Sequence, residues 1–169
     1  MRPTRAEVFM TARLMILNGP NLNLLGVREP HIYGFVTLAA IEASCQEVAT
    51  HFGASLAFHQ SNHEGELVDL IQSARETADA VIINPAAYSF TSIAIVDALK
   101  MFEGPIIEVH ISNIHARDKL HRHSRISASA KAVICGLGPY GYVVAMQAAL
   151  QMLGKLPEHL PSGLRDGPR

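Results

Sequence analysis

Short apolar runs recur along the chain, and between them apolar positions fall three or four residues apart. Residues 13–17 (RLMIL), 54–59 (ASLAFH), 80–84 (AVIIN), 106–110 (IIEVH) and 132–135 (AVIC) are too short and too uniformly apolar for surface helices and read as buried strands. The intervening segments carry the helical period. Thr37 offers an N-cap to a helix running to about Phe52, with Ile41, Cys45 and Val48 on one face. Further helices are predicted over Glu66–Thr77, over about Thr91–Phe102 with Ile93, Val96, Ala98 and Leu99, and over roughly Gly141–Leu153.

Strands that are apolar on both faces and separated by helices imply a parallel sheet covered on each side. Right-handed crossovers then favour a flavodoxin-like, doubly wound α/β fold with five parallel strands in the order 2-1-3-4-5. A chain of 169 residues fits one such domain, assigned to 13–154. Residues 1–12 are expected to be a loose N-terminal extension and the Pro/Gly-rich 155–169 a disordered tail. Ligands of doubly wound sheets bind at the carboxyl ends of strands. The polar segments 18–34, 84–91 and 110–124 all follow strands there, so they are expected to converge on one edge.

Composition narrows the chemistry. The chain is 49% hydrophobic with a formal net charge of −1, so no whole-protein field attracts nucleic acid or an anionic membrane, and neither is expected as a partner. No apolar run approaches the roughly 18 residues of a membrane helix. Cys45 and Cys135 form no CxxC and sit among apolar or small residues, consistent with free thiols in a reducing cytoplasm.

The densest candidate chemistry is IIEVHISNIHARDKLHRHS at 106–124. Strand alternation puts Glu108, His110 and Ser112 on one face, where a carboxylate can orient an imidazole and favour its protonated form, as a general acid requires. A structural His–Glu pair at a strand end fits the same spacing. As metal ligands, His110, His115, His121 and His123 match no standard spacing, and Arg117 and Arg122 stand among them, so no metal is expected. The loop NGPNLNLLGVREPHIYG at 18–34 lacks both phosphate-binding glycine patterns. It does hold Arg28 five residues before Tyr33, and a nearby guanidinium favours phenolate, which makes a tyrosine base. A tyrosine packed under a loop is the plainer alternative. The loop's length hints at a lid. Asn84-Pro-Ala-Ala ends the third strand with an amide and small residues that let a ligand near the backbone.

Together, LNGPNLNLLGVREPHIYG (17–34), QSNHEGEL (60–67), INPAAYSFTS (83–92), IIEVHISNIHARDKLHRHS and VICGLGPYGY (133–142) resemble the type II 3-dehydroquinate dehydratases, over about residues 14–153. The resemblance implies dehydration of 3-dehydroquinate to 3-dehydroshikimate by anti elimination through an enolate, without metal or organic cofactor. It implies Tyr33 as base with Arg28 lowering its pKa, His110 as acid oriented by Glu108, and Asn21 at the enolate. It makes Asn84, Ile111 and Ser112 holders of the substrate carboxylate and ring hydroxyls, and Asp97 an acid reaching a neighbouring subunit's site. It also implies a dodecamer built from trimers. Three positions depart from the family pattern: Phe90 stands where the family has His, His121 where it has Arg, and Val96 where an arginine is common. Arg122, beside His121, is a candidate replacement. The proton-transfer set is complete and the substrate-holding set is not. That pattern fits a weakened dehydratase, a paralogue acting on a related polyhydroxylated ring acid, or a non-catalytic oligomer.

Overall fold

The computed structural model describes residues 11–27 and 35–156. Five strands, β1 (Arg13–Asn18), β2 (Ser55–Gln60), β3 (Ala80–Asn84), β4 (Ile106–His110) and β5 (Ala132–Cys135), form one parallel sheet in the order β2-β1-β3-β4-β5. This is the strand order expected from the crossover rule. The helices are α1 (Leu38–His51), α2 (Glu64–Thr77), α3 (Tyr88–Thr91), α4 (Ile93–Leu99) and α5 (Tyr140–Met152).

Alternation along the central strands divides the interior into two layers. Leu14, Ile16, Ile82, Ile107 and Val109 face α1 and α5, whereas Met15, Leu17, Val81, Ile83 and Ile106 face α2 and α4. Every residue of β3 and β4 is buried, which is why these strands show no polar alternation in sequence. Thr37 caps α1, its hydroxyl accepting the Ala40 N–H, and Ile41, Cys45 and Ala49 line its buried face.

The helix predicted over Thr91–Phe102 is α4, shorter at its C-terminal end, and a separate one-turn helix, α3, precedes it. Ser92 is extended, with φ −86° and ψ 107°, and its Oγ accepts the Ile95 N–H, so it ends α3 and caps α4. A serine that satisfies the first turn of a new helix competes with continuation of the old one. The break keeps α3 at the carboxyl edge of β3.

That edge is held tightly at one place. The Gly19 N–H donates to the Asn84 carbonyl (2.8 Å), and a Cβ on residue 19 would lie 2.3 Å from the Pro85 carbonyl oxygen. Only glycine lets the ends of β1 and β3 meet this closely. The cleft opens above this junction.

Candidate active site

A cleft enclosing about 560 Å³ of space open to solvent lies at the carboxyl ends of β1, β3 and β4. Asn21, Asn84, His110, Ile111 and Ser112 all line it, together with Phe90, Arg117 and His121. Three of the separate polar segments thus meet at one edge. Arg28 and Tyr33 lie outside the described residues. Asp97 does not reach this cleft within the chain: it is exposed on α4 and pairs with Lys100 at 2.9 Å.

His110 is the last residue of β4, and Glu108 precedes it by one full pleat on the same face. The His110 Nε2 lies 2.7 Å from Glu108 Oε1, and the side chains are only 5% and 0% exposed. Glu108 Oε2 accepts from the Ser127 hydroxyl. Burial by itself pushes the Glu108 carboxyl up, but hydrogen bonds from His110, Ser124 and Ser127 outweigh it and hold the group below the usual carboxylate range. An ionised acceptor at Nε2 requires that nitrogen to carry a proton. Nδ1 is then the ring nitrogen left for a ligand. Such a dyad can deliver a proton from Nδ1 while the carboxylate stabilises the imidazolium.

Beneath the cleft runs a buried polar chain that the sequence motifs did not reveal. The Tyr142 hydroxyl donates to Asn18 Oδ1 (2.7 Å) and accepts from Asn84 Nδ2 (2.8 Å), and Asn18 Nδ2 donates to the His59 carbonyl (3.0 Å). Burial drives the Tyr142 phenol well above its ordinary range, so it stays neutral. These links cross β1, β3 and α5 and fix one amide N–H of Asn84, leaving the other for a ligand. Asn84 Oδ1 also accepts the Ala86 N–H (3.3 Å). Ala86 is left-handed, with φ 50°, a conformation costing an alanine on the order of 1–2 kcal/mol. The strained turn exposes cleft-side backbone where a ligand can approach it. Asn21 is left-handed too (φ 67°), its N–H held by Asn62 Oδ1 at 2.9 Å.

The far wall comes from the turn after β4. Arg122 does not line the cleft; its guanidinium donates to the Arg117 carbonyl at 2.9 and 3.2 Å. Arg117 and His121 line it instead. Asp118 caps the short 3₁₀ turn Lys119–His121, its Oδ1 accepting the Leu120 N–H (2.8 Å), and its Oδ2 lies 2.7 Å from His121 Nδ1. That hydrogen bond holds the Asp118 carboxyl below its usual range. The Phe90 ring lies between the two histidines, stacked at 6.5 Å from His110 and edge-on at 5.3 Å from His121.

Among the described residues, no group of three or more His, Cys, Asp or Glu side chains could hold a metal, and no helix is long and apolar enough to cross a membrane. Both cysteines are free, and burial pushes the Cys45 thiol up to about 11.

Known proteins resemble this chain over most of its length. The family model "Dehydroquinase class II" matches residues 12–150. The chain is 53% identical over 139 residues to 3-dehydroquinate dehydratase 1 of Agrobacterium fabrum, covering 82% of this chain and 96% of that protein. It is 54% identical over 138 residues to catabolic 3-dehydroquinase 1 of Aspergillus fumigatus, covering 82% and 92%. The crystal structure of type II dehydroquinase from Propionibacterium acnes superposes with a TM-score of 0.78 at 42% identity, over 81% of this chain and 94% of that one.

Proposed function

The chain belongs to the class II dehydroquinase family, and from that premise we propose that it is a hydro-lyase that dehydrates 3-dehydroquinate to 3-dehydroshikimate. One observation carries the reading from the chain's own side: a buried His110–Glu108 dyad, with one imidazole nitrogen still unclaimed, at the floor of a cleft at the strand ends. Tyr33, activated by Arg28, takes the C2 proton, and the electrons pass into the ring ketone as an enolate. Asn21 helps hold the charge there. His110 then gives its Nδ1 proton to the C1 hydroxyl, which departs as water as the double bond forms. Base and acid on opposite faces of the ring give anti elimination, and each contributes typically about 10²–10⁴-fold.

Asn84, Ile111 and Ser112 hold the carboxylate and ring hydroxyls. No step needs a metal or organic cofactor. Asp97, exposed on α4, is assigned to a neighbouring subunit's site in a dodecamer of trimers, and the enzyme works in the cytoplasm. Residues 1–12 and 155–169 extend a single catalytic domain at 13–154.

One observation favours a second reading, dehydration of a related ring acid. Phe90 presents an apolar ring between His110 and His121, where a hydroxyl of the substrate would find no partner. An unmet hydroxyl costs about 1–3 kcal/mol. The deciding assay follows absorbance of the conjugated enone formed from 3-dehydroquinate. Product formation by the wild type and its collapse in Tyr33→Phe support the first reading. No product at high enzyme concentration, with the fold intact, overturns it.

A further inference from the structure

We propose that Asn62, just past the carboxyl end of β2, is a positioning residue that acts through Asn21, holding the loop after β1 so that the Asn21 side chain meets the enolate. The inference rests on the dehydratase reading, in which Asn21 holds the enolate charge, and it gives a role to the segment QSNHEGEL (60–67).

Side-chain hydrogen bonds join the end of β2 to this loop, and their chemistry fixes the orientation of both amides. The Asn21 N–H is a donor, so the Asn62 atom 2.9 Å from it is the acceptor Oδ1. The Gly19 carbonyl can only accept, so Gln60 presents its Nε2 there (3.2 Å), and the same Nε2 donates to Asn62 Oδ1 at 3.1 Å. On the other side the Gly19 N–H donates to the Asn84 carbonyl. Residues 19–21 are thus clamped between β2 and β3. After them, Leu22 and Leu25 are anchored in the layer that faces α1 and α5. Asn21 lies between these anchors in the left-handed region (φ 67°), which asparagine holds at a cost that fixed surroundings must offset.

Asn62 is itself held from two directions. The Tyr88 hydroxyl, on α3, donates to the Asn62 carbonyl at 2.7 Å. Ser61 fixes the chain just before it: its N–H donates to the Asn18 carbonyl (2.9 Å), and its hydroxyl donates to the Glu66 carboxylate and accepts the His63 N–H (2.9 Å). Asn21 lines the cleft and Asn62 does not, so the influence of Asn62 passes through the residue it holds. An enolate charge exists only as the reaction proceeds, so a group aimed at it shows in kcat more than in KM.

The test measures kcat and KM for enone formation in wild type, Asn62→Leu, Asn21→Gly and the double variant. Leucine is close to asparagine in size but offers no acceptor, and it leaves the backbone carbonyl bonded to Tyr88. Glycine removes the Asn21 side chain while taking a positive φ without strain. Asn62→Leu is expected to lower kcat about 5-fold, the size of one neutral hydrogen bond, with KM changed by less than about 2-fold. In the Asn21→Gly background the same substitution is expected to lower kcat by less than about 1.5-fold, because no side chain is left to place. An equal loss in both backgrounds is a structural effect unconnected with Asn21 and overturns the proposal. Independently of turnover, amide hydrogen exchange at Asn21 is expected to quicken in Asn62→Leu and to stay slow in Asn62→Asp, whose carboxylate still accepts the N–H. Unchanged exchange in Asn62→Leu overturns the proposal as well. Absence of turnover in wild type is a failure of the dehydratase reading; turnover with equal losses in both backgrounds is a failure of this inference alone.

Discussion

Two histidines line the cleft, each paired with a carboxylate at the same 2.7 Å contact but in opposite surroundings. His110 and Glu108 are almost wholly buried at the end of β4, whereas His121 and Asp118 are 35% and 57% exposed on a capped turn. Burial makes the first pair dependent on its partners. Glu108 stays ionised only because His110, Ser124 and Ser127 donate to it, and removing a donor leaves a buried charge unmet. The second pair is part-exposed, so water screens it and it adds little to folding. One bond length therefore serves two purposes, holding a buried proton donor in place and closing a part-exposed turn at the cleft rim.

The sharpest break between the pairs should come from His110→Ala. Loss of the acid is expected to lower kcat by about 10²–10⁴-fold with a smaller change in KM, in steady-state assays of enone formation. The corresponding change at His121 should act on KM. Equal effects on kcat at both positions would erase the distinction.

Glu108→Gln comes next. It removes the ionised partner of His110, and a fall in kcat of roughly 10–150-fold is expected, the value of a hydrogen bond to a charged group. Stability should report the same group. The folded Glu108 carboxyl lies below its ordinary value of about 4.3, so its stabilisation is complete above that pH and is lost as pH falls through the depressed folded value. Tm of wild type should exceed that of Glu108→Gln at pH 6, and the gap should close as pH drops below about 4. A gap that widened in acid would contradict the assignment.

Tyr142→Phe probes the scaffold beneath the buried pair. It strands Asn18 Oδ1 and frees Asn84 Nδ2, for an expected loss of about 1–3 kcal/mol in denaturant unfolding and a rise in KM. The smallest effect belongs to the exposed pair: Asp118→Asn should move Tm by no more than about 2 °C.

Much of this contrast was legible in the sequence, for reasons that also mark where legibility stops. Strand period two puts Glu108 and His110 on one face whatever the tertiary context, and the all-apolar β3 and β4 announce a sheet buried on both sides. The one-turn α3 before Ser92 was not legible because Tyr88–Thr91 is too short to show a helical period, whereas Ile93, Val96 and Leu99 carry that of α4. The run 117–122 has no period to read, since 3₁₀ turns there send Arg117 and His121 to the cleft and Arg122 to a backbone carbonyl. Tyr142 reaches Asn18 across 124 residues, a link that only the folded sheet creates. Ser127 meets Glu108 in the same way, from a turn whose residues carry no motif.

The central claim is that the buried dyad does proton chemistry on 3-dehydroquinate. The most direct measurement is enone absorbance after mixing 3-dehydroquinate with wild type and with His110→Ala at equal concentrations, the fold of each checked by circular dichroism. The account expects steady product growth with wild type and a rate lower by about 10²-fold or more with the variant. Comparable rates from both natively folded proteins, or no product from either, would contradict it.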